Sequence, residues 1–454
     1  MTPALRPIEA LQTTSISHRD LAASRSSSTD KNVGTEEYIE VADRKPAIKD
    51  GGTRAWLQVT GSFLVFSNIW GFIFAFGAFE SYYQITYLPA ASSSSLAWIG
   101  TTANFLLIFG GILTGPLFDR GYFRTMLLTG AFLEVLAVFL LSICTKYWQV
   151  LLTQGIMLGV GNSFLYMPGL ALVGRSFLKH RAAALACATC GAPIGGIVFT
   201  LVFQQLVSPL GFGSTVRVIG YIIVGCYLIS FPLLLWNVQN LGDLSATRTR
   251  KLFDAKAFLE LPFVIYTLSN FMVFFGYLVP FIFMSSFAQI ALGMSSTDAN
   301  ATIMITQATS IVGRLLSGYF AVKIGNIVQW SICALASGII CIAWAGIHQQ
   351  GTFFLLVALF GMFSGPLISL PPSAFVIVCS DPELLGTRLG MASAIGAFAS
   401  LIGSPTAGAL EQVGGKTNFL AMQLFSGVCM TTGGFCLVFL WAILIKRREG
   451  SKLI

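Results

Sequence analysis

The chain has 454 residues, 55% of them apolar and only 10% charged, and its mean hydropathy is +0.77. A soluble domain carries about 25% charged residues, and an aqueous core stops growing near ~250–300 residues, so lipid must cover much of this apolar surface. The net charge of +8 sits in short basic clusters between long apolar runs, which excludes a nucleic-acid surface in favour of a topology signal.

Residues 1–55 are polar, with a serine run (Ser26, Ser27, Ser28) after Arg25 and mixed charge. They read as a disordered cytosolic tail without a signal peptide. A helix crossing lipid needs ~20 mostly apolar residues, because its backbone polar groups must be satisfied within the segment. Such runs follow at 57–79, 96–117, 124–144, 148–174, 182–207 and 217–236. The polar stretch 237–260, with Asp243, Arg248, Arg250, Lys251, Asp254, Lys256 and Glu260, is the expected central loop. Six further runs lie at 261–287, 298–322, 327–347, 352–379, 386–410 and 417–445, and a short tail follows at 446–454. The predicted fold is all-α and integral to the membrane, with twelve transmembrane helices in two six-helix halves, 56–236 and 261–445.

Basic residues alternate in step with these spans. The tails, the central loop and the even-numbered loops hold 23 Lys and Arg, among them Arg120, Arg124, Arg175, Lys323 and Arg388. The odd-numbered loops hold 3, namely Lys146, Arg217 and Lys416, and Arg314 falls inside a span. The positive-inside rule therefore predicts cytosolic termini. A weak repeat supports two equivalent halves: Gly115-Pro-Leu-Phe-Asp119-Arg120-Gly121 after the second run matches Gly318-Tyr-Phe-Ala-Val322-Lys323-Ile-Gly325 after the eighth. Parallel six-helix repeats are a transporter architecture, with the solute site near mid-membrane between them.

The 115–124 segment resembles the loop motif of the major facilitator superfamily. There Asp119 with Arg120 and Arg124 would form a gating charge cluster. A narrower resemblance, to the fungal branch of the monocarboxylate porter family, rests on several short motifs. These are Asp50-Gly51-Gly52 with Trp56, Phe177-Leu-Lys179-His180-Arg181, Gly276-Tyr277-Leu-Val-Pro280, Gly313-Arg314, Asp381-Pro382-Glu383 with Gly386-Thr387-Arg388, and Gly403-Ser-Pro405. The resemblance departs at two places. Apolar residues around Phe74 stand where other members carry a Lys, and Ser310 stands where they carry an Asp. Those groups are tied to proton–carboxylate coupling in that family. The resemblance thus implies a secondary active transporter of a small organic, anionic solute, with efflux of a secondary metabolite favoured. Proton-linked uptake of a monocarboxylate or a vitamin such as riboflavin is the alternative, and a solute-sensing transceptor is the non-transporting one.

Arg314 is the first substrate-binding candidate, since a charge within a membrane helix costs at least ~2.5–3.5 kcal/mol and so faces a cavity or partner. Its planar fork suits a carboxylate. Asn68, Tyr166, Asn270 and Tyr277 are further candidates, with Asn104, Asn162 and Gln307 as other polar groups within spans. Superfamily analogy places the first, fourth, seventh and tenth helices on the cavity. Glu134, in the third run, is the proton-coupling candidate, protons being a candidate coupling ion. Asn300-Ala-Thr302 is a glycosylation sequon close to the bilayer. The nine cysteines fall in apolar runs, where Cys acts as a small hydrophobe. Neither metal nor cofactor is expected: no phosphate-cradling loop or catalytic cluster is present, so the chain is not read as an enzyme. The expected partners are an organic solute and the lipid bilayer, with the plasma membrane as the default location.

Overall fold

A computed structural model of the chain describes residues 52–177, 181–236, 253–379, 384–413 and 418–450. Most of the expected N-terminal tail and central loop lie outside the described residues, as do Asp50, Gly51, Lys179, His180, Asp381, Pro382, Glu383 and Lys416. Among the described residues every regular element is helical.

Ten stretches are long and apolar enough to cross a bilayer. They resolve into twelve spans by two observations. Ala184–Trp236 is 53 residues long, about 80 Å at 1.5 Å per residue, against a hydrocarbon core of ~30 Å. It turns at Gly211, whose φ of 74° and ψ of 168° are non-helical and nearly confined to glycine. This gives α5 (181–210) and α6 (212–236). The second observation is Ser296–Ile324, a 29-residue helix whose hydropathy is lowered by Asp298, Arg314 and Lys323. The other spans are α1 Thr53–Tyr87, α2 Ser93–Phe118, α3 Phe123–Leu141, α4 Tyr147–Ser176, α7 Leu261–Ile290, α9 Asn326–Trp344 and α10 Gln350–Val378. Ser296–Ile324 is α8, and Leu385–Val413 and Leu420–Gly450 are α11 and α12.

The halves repeat in their packing. In the first, α1 runs alongside α5, where Gly191 and Gly195 approach the carbonyls of Phe63 and Ser67 too closely for any side chain. It runs antiparallel to α6, to which Gln58 donates at Leu234 O (3.0 Å) and Asn68 at Ile223 O (3.3 Å). In the second, α7 takes the place of α1. Gly403 of α11 meets the Phe275 carbonyl, and Ser426 of α12 donates to Gly276 O at 2.9 Å. Even the capping repeats: Ser92 caps α2 through Ser95 N, and Ser295 caps α8 through Asp298 N. A serine Oγ at that position satisfies one of the amides that a helix start leaves bare.

At the end opposite the basic loops the halves are joined by polar contacts. There Ser286 donates to Glu80 (3.2 Å), Gln289 to Ser81 (2.6 Å), Gln84 to Glu411 (3.3 Å) and Ser94 to Pro405 O (2.8 Å). Phe74 of α1 and Phe281 of α7 pack below them at 5.5 Å. This end is closed. Apolar runs place the ends of α1 and α11 at 79 and 410, but the helices continue to Tyr87 and Val413. The hydropathy pattern breaks at the first carboxylate, whereas the backbone ladder does not; Ser286 donates to Glu80 and Gln84 to Glu411. At the other extreme α12 runs to Gly450 rather than stopping at 445.

Candidate functional site

Arg314 lies two turns along α8 from Gln307 and on the same face, since seven residues are close to two helical turns. Both point at α5. The guanidinium donates from Nη1 to the Thr189 carbonyl at 3.3 Å, and its Nε has no hydrogen-bond partner. No carboxylate among the described residues pairs with it. Gln307 is fully buried, lies against Gly196 of α5, and neither end of its amide has a partner. Tyr277 of α7 is 1% exposed and its hydroxyl is also unpartnered. It is within electrostatic range of Arg314, as is Cys190 of α5.

Three polar side chains from α7 and α8 therefore converge where the second half faces the first, with several donors and acceptors unused. Buried polar groups are nearly always hydrogen-bonded, and each one left bare costs about 1–3 kcal/mol. Such a set is poised for a ligand that supplies the missing partners. An aromatic wall lies beside it. Tyr277 packs on Phe281 at 5.1 Å, Phe281 on Phe74, and Phe74 on Trp70 at 5.8 Å. Trp70 meets Tyr166 of α4 at 6.2 Å, and the Tyr166 ring is half-buried.

The remaining sequence candidates separate from this cluster. Asn68 is fully buried and turned to α6, where it donates to Ile223 O and also reaches Tyr227. Tyr227 in turn donates to Glu134 of α3. The chain Asn68–Tyr227–Glu134 thus ties α1, α6 and α3 together inside the first half. Asn270 donates to Ala392 O of α11 at 3.4 Å, within the second half. Asn300 lies in α8, is 4% exposed and accepts a hydrogen bond from Ser285 (2.9 Å). The side-chain amide of the sequon is thus buried in the folded chain. Of the loop motif, Arg120 and Arg124 are exposed, Arg124 lying over the Phe123 ring at 5.8 Å; the Asp119 side chain lies outside the described residues.

Two features were not legible as sites. Glu80 and Glu411, both fully buried, fell in expected loops because the apolar runs end one residue before each. Arg388 was read as a topology signal. It forms ion pairs with Asp254 (2.8 Å) and Glu260 (2.8 Å), which clamps the turn Ala255–Leu259 ahead of α7 to the start of α11. Only the clustering of acids in the central loop could have hinted at it.

The Major Facilitator Superfamily profile matches residues 59–404. The MFS-type transporter dbaD of Emericella nidulans is 33% identical over 418 residues, which cover 90% of this chain and 93% of that one. The aspyridones efflux protein apdF of the same organism is 32% identical over 416 residues, 91% of this chain and 82% of the relative. The agnestins efflux protein AgnL12 of Paecilomyces divaricatus is 31% identical over 412 residues, covering 89% and 91%. A profile match across both halves, full-length relatives and a bundle whose halves repeat helix for helix lead to one conclusion: the chain belongs to the Major Facilitator Superfamily of membrane transporters.

Proposed function

We propose that the protein exports a small organic anion, a secondary metabolite, by alternating access between its two halves. The observation that carries this reading is Arg314. A guanidinium held between the halves, with no carboxylate partner and beside unpartnered Tyr277 and Gln307, is a receptor for an oxyanion. Arg recognises a planar carboxylate or enolate through two parallel hydrogen bonds. The ring wall of Trp70, Phe74, Tyr166 and Phe281 suits an aromatic or conjugated body attached to that anion. The efflux proteins named for aspyridones and agnestins support the direction of transport.

In this reading the basic end faces the cytosol, both termini lie there, and the plasma membrane is the location. The closed far end then makes this the inward-facing side of the cycle, in which the solute enters from the cytosol. Asp119, Arg120 and Arg124 remain the proposed latch at the basic rim. The shared motifs keep a monocarboxylate porter ancestry within the proposal. Ser310, where other porters carry an acid, argues for a solute other than a simple monocarboxylate.

The test compares metabolites inside and outside cells with the protein, without it, and with Arg314→Ala. Export through this site predicts one compound retained in both the deleted and the Arg314→Ala cells. A compound left in the medium instead would establish uptake and overturn the proposed direction.

A further inference from the structure

Glu80 takes no part in the anion site, yet it is enclosed where the halves meet. It lies on α1 at the far end and is fully buried. Ser286 of α7, in the other half, donates to its Oε2 at 3.2 Å, and its Oε1 has no hydrogen-bond partner. One turn on, Gln84 donates to Oε1 of Glu411, a fully buried carboxyl on α11, and to Ser93 of α2 at 2.9 Å. Glu80 and Glu411, from opposite halves, are within electrostatic reach of each other.

Among the described residues the basic groups at this end are Lys146, Arg217 and His348, all exposed, and none of them bonds to Glu80. On α1 itself the titratable neighbours are Tyr82, Tyr83 and Tyr87, of which Tyr83 donates to Gln154; Arg54 lies at the opposite end of the helix. Helix α7 has no Asp, Glu, Lys, Arg or His, nor has α2 over 93–118 or α5 over 184–210. On α8, Asp298 is exposed at the helix start, and Arg314 and Lys323 lie toward the basic end. On α11 the charged groups are Glu411 and, at the opposite end, Arg388. Lys416 lies outside the described residues.

An ionised carboxylate with one bare oxygen, sealed from water beside a second acid, is penalised by desolvation and by like charge. One proton removes the charge and gives the bare oxygen a hydrogen to donate. We propose that Glu80 is a proton-binding site of the far-end gate, which closes over the neutral acid and opens when the proton passes to external water. No other bond changes in this step. Separation of α1 from α7 removes Ser286 from Glu80 and admits water, so closure and proton uptake are linked. The linkage requires only that the halves part at this end, whatever the solute.

The test uses the full chain in lipid nanodiscs without solute, so that it is independent of the anion site. Spin labels on noncanonical residues at Ala90 and Gln349, exposed at the far ends of the two halves, report gate distance between pH 5 and 9. The closed fraction is expected to rise on acidification, by up to ~tenfold per pH unit in the titrating range. Glu80→Gln should hold the closed distance at every pH, and Glu411→Gln should keep the pH response. A flat titration of the unaltered chain, which depends on no variant folding, overturns the proposal. So does a wild-type pH response in Glu80→Gln, or its loss in Glu411→Gln.

Discussion

Arg314 and Glu134 are the two membrane-embedded charges that stand out in the sequence, and their surroundings differ. Glu134 accepts at Oε2 from the Tyr227 hydroxyl within one half, and its Oε1 has no hydrogen-bond partner. Arg314 reaches across to the other half and keeps an unused Nε donor. Charge-assisted hydrogen bonds contribute about 1.5–3 kcal/mol, so Arg314→Ala is expected to lower export flux ~10–100-fold. Arg314→Lys should recover only part of it, because an ammonium cannot form the paired geometry. Both values come from initial rates of solute counterflow in proteoliposomes. Tyr227→Phe removes the donor to Glu134 and should destabilise the bundle by about 1–3 kcal/mol while leaving flux per folded molecule unchanged. A melting curve in detergent read beside the flux separates the two effects. Equal loss of flux in the folded fraction would instead place Glu134 in the transport path.

At the scale of elements, the decisive positions are those where backbone geometry admits a single residue type. Gly211 separates α5 from α6 with a conformation that costs other residues about 1–3 kcal/mol. Gly211→Ala should therefore lower the thermal midpoint without altering which solute is carried. The Arg388 clamp is a different device. It holds the 3-10 turn Ala255–Leu259 against α11 through two acids, of which the Asp254 side chain is 12% exposed and Glu260 is 38% exposed. Arg388→Ala leaves the more buried acid without its partner. The expected result is earlier proteolytic cleavage between the halves, measured by limited digestion, with the half-exposed Glu260 contributing little.

For the whole molecule, transport requires the closed far end to open. Ser81 and Gln289 touch across the halves at 2.6 Å, so a disulfide formed between Ser81→Cys and Gln289→Cys should hold the gate shut. Flux should fall to background on oxidation and return on reduction. Flux that persists through a complete cross-link would mean that the halves need not part there.

The twelve spans, their grouping six and six and the basic asymmetry follow from the sequence alone, because the bilayer dictates span length and topology dictates where cations fall. Arg314 could be singled out for the same reason: a charge in lipid is costly enough to need a purpose. Tertiary structure decided which polar groups act together. Asn68, Asn270 and Tyr277 are equivalent as sequence, each a polar residue in a span. Only packing turns the first two to neighbouring helices of their own half and leaves Tyr277 beside Arg314. Tertiary structure also recovered Glu80 and Glu411. A hydropathy window ends at a carboxylate, whereas a helix continues through one when a serine or glutamine of another helix stands ready to donate.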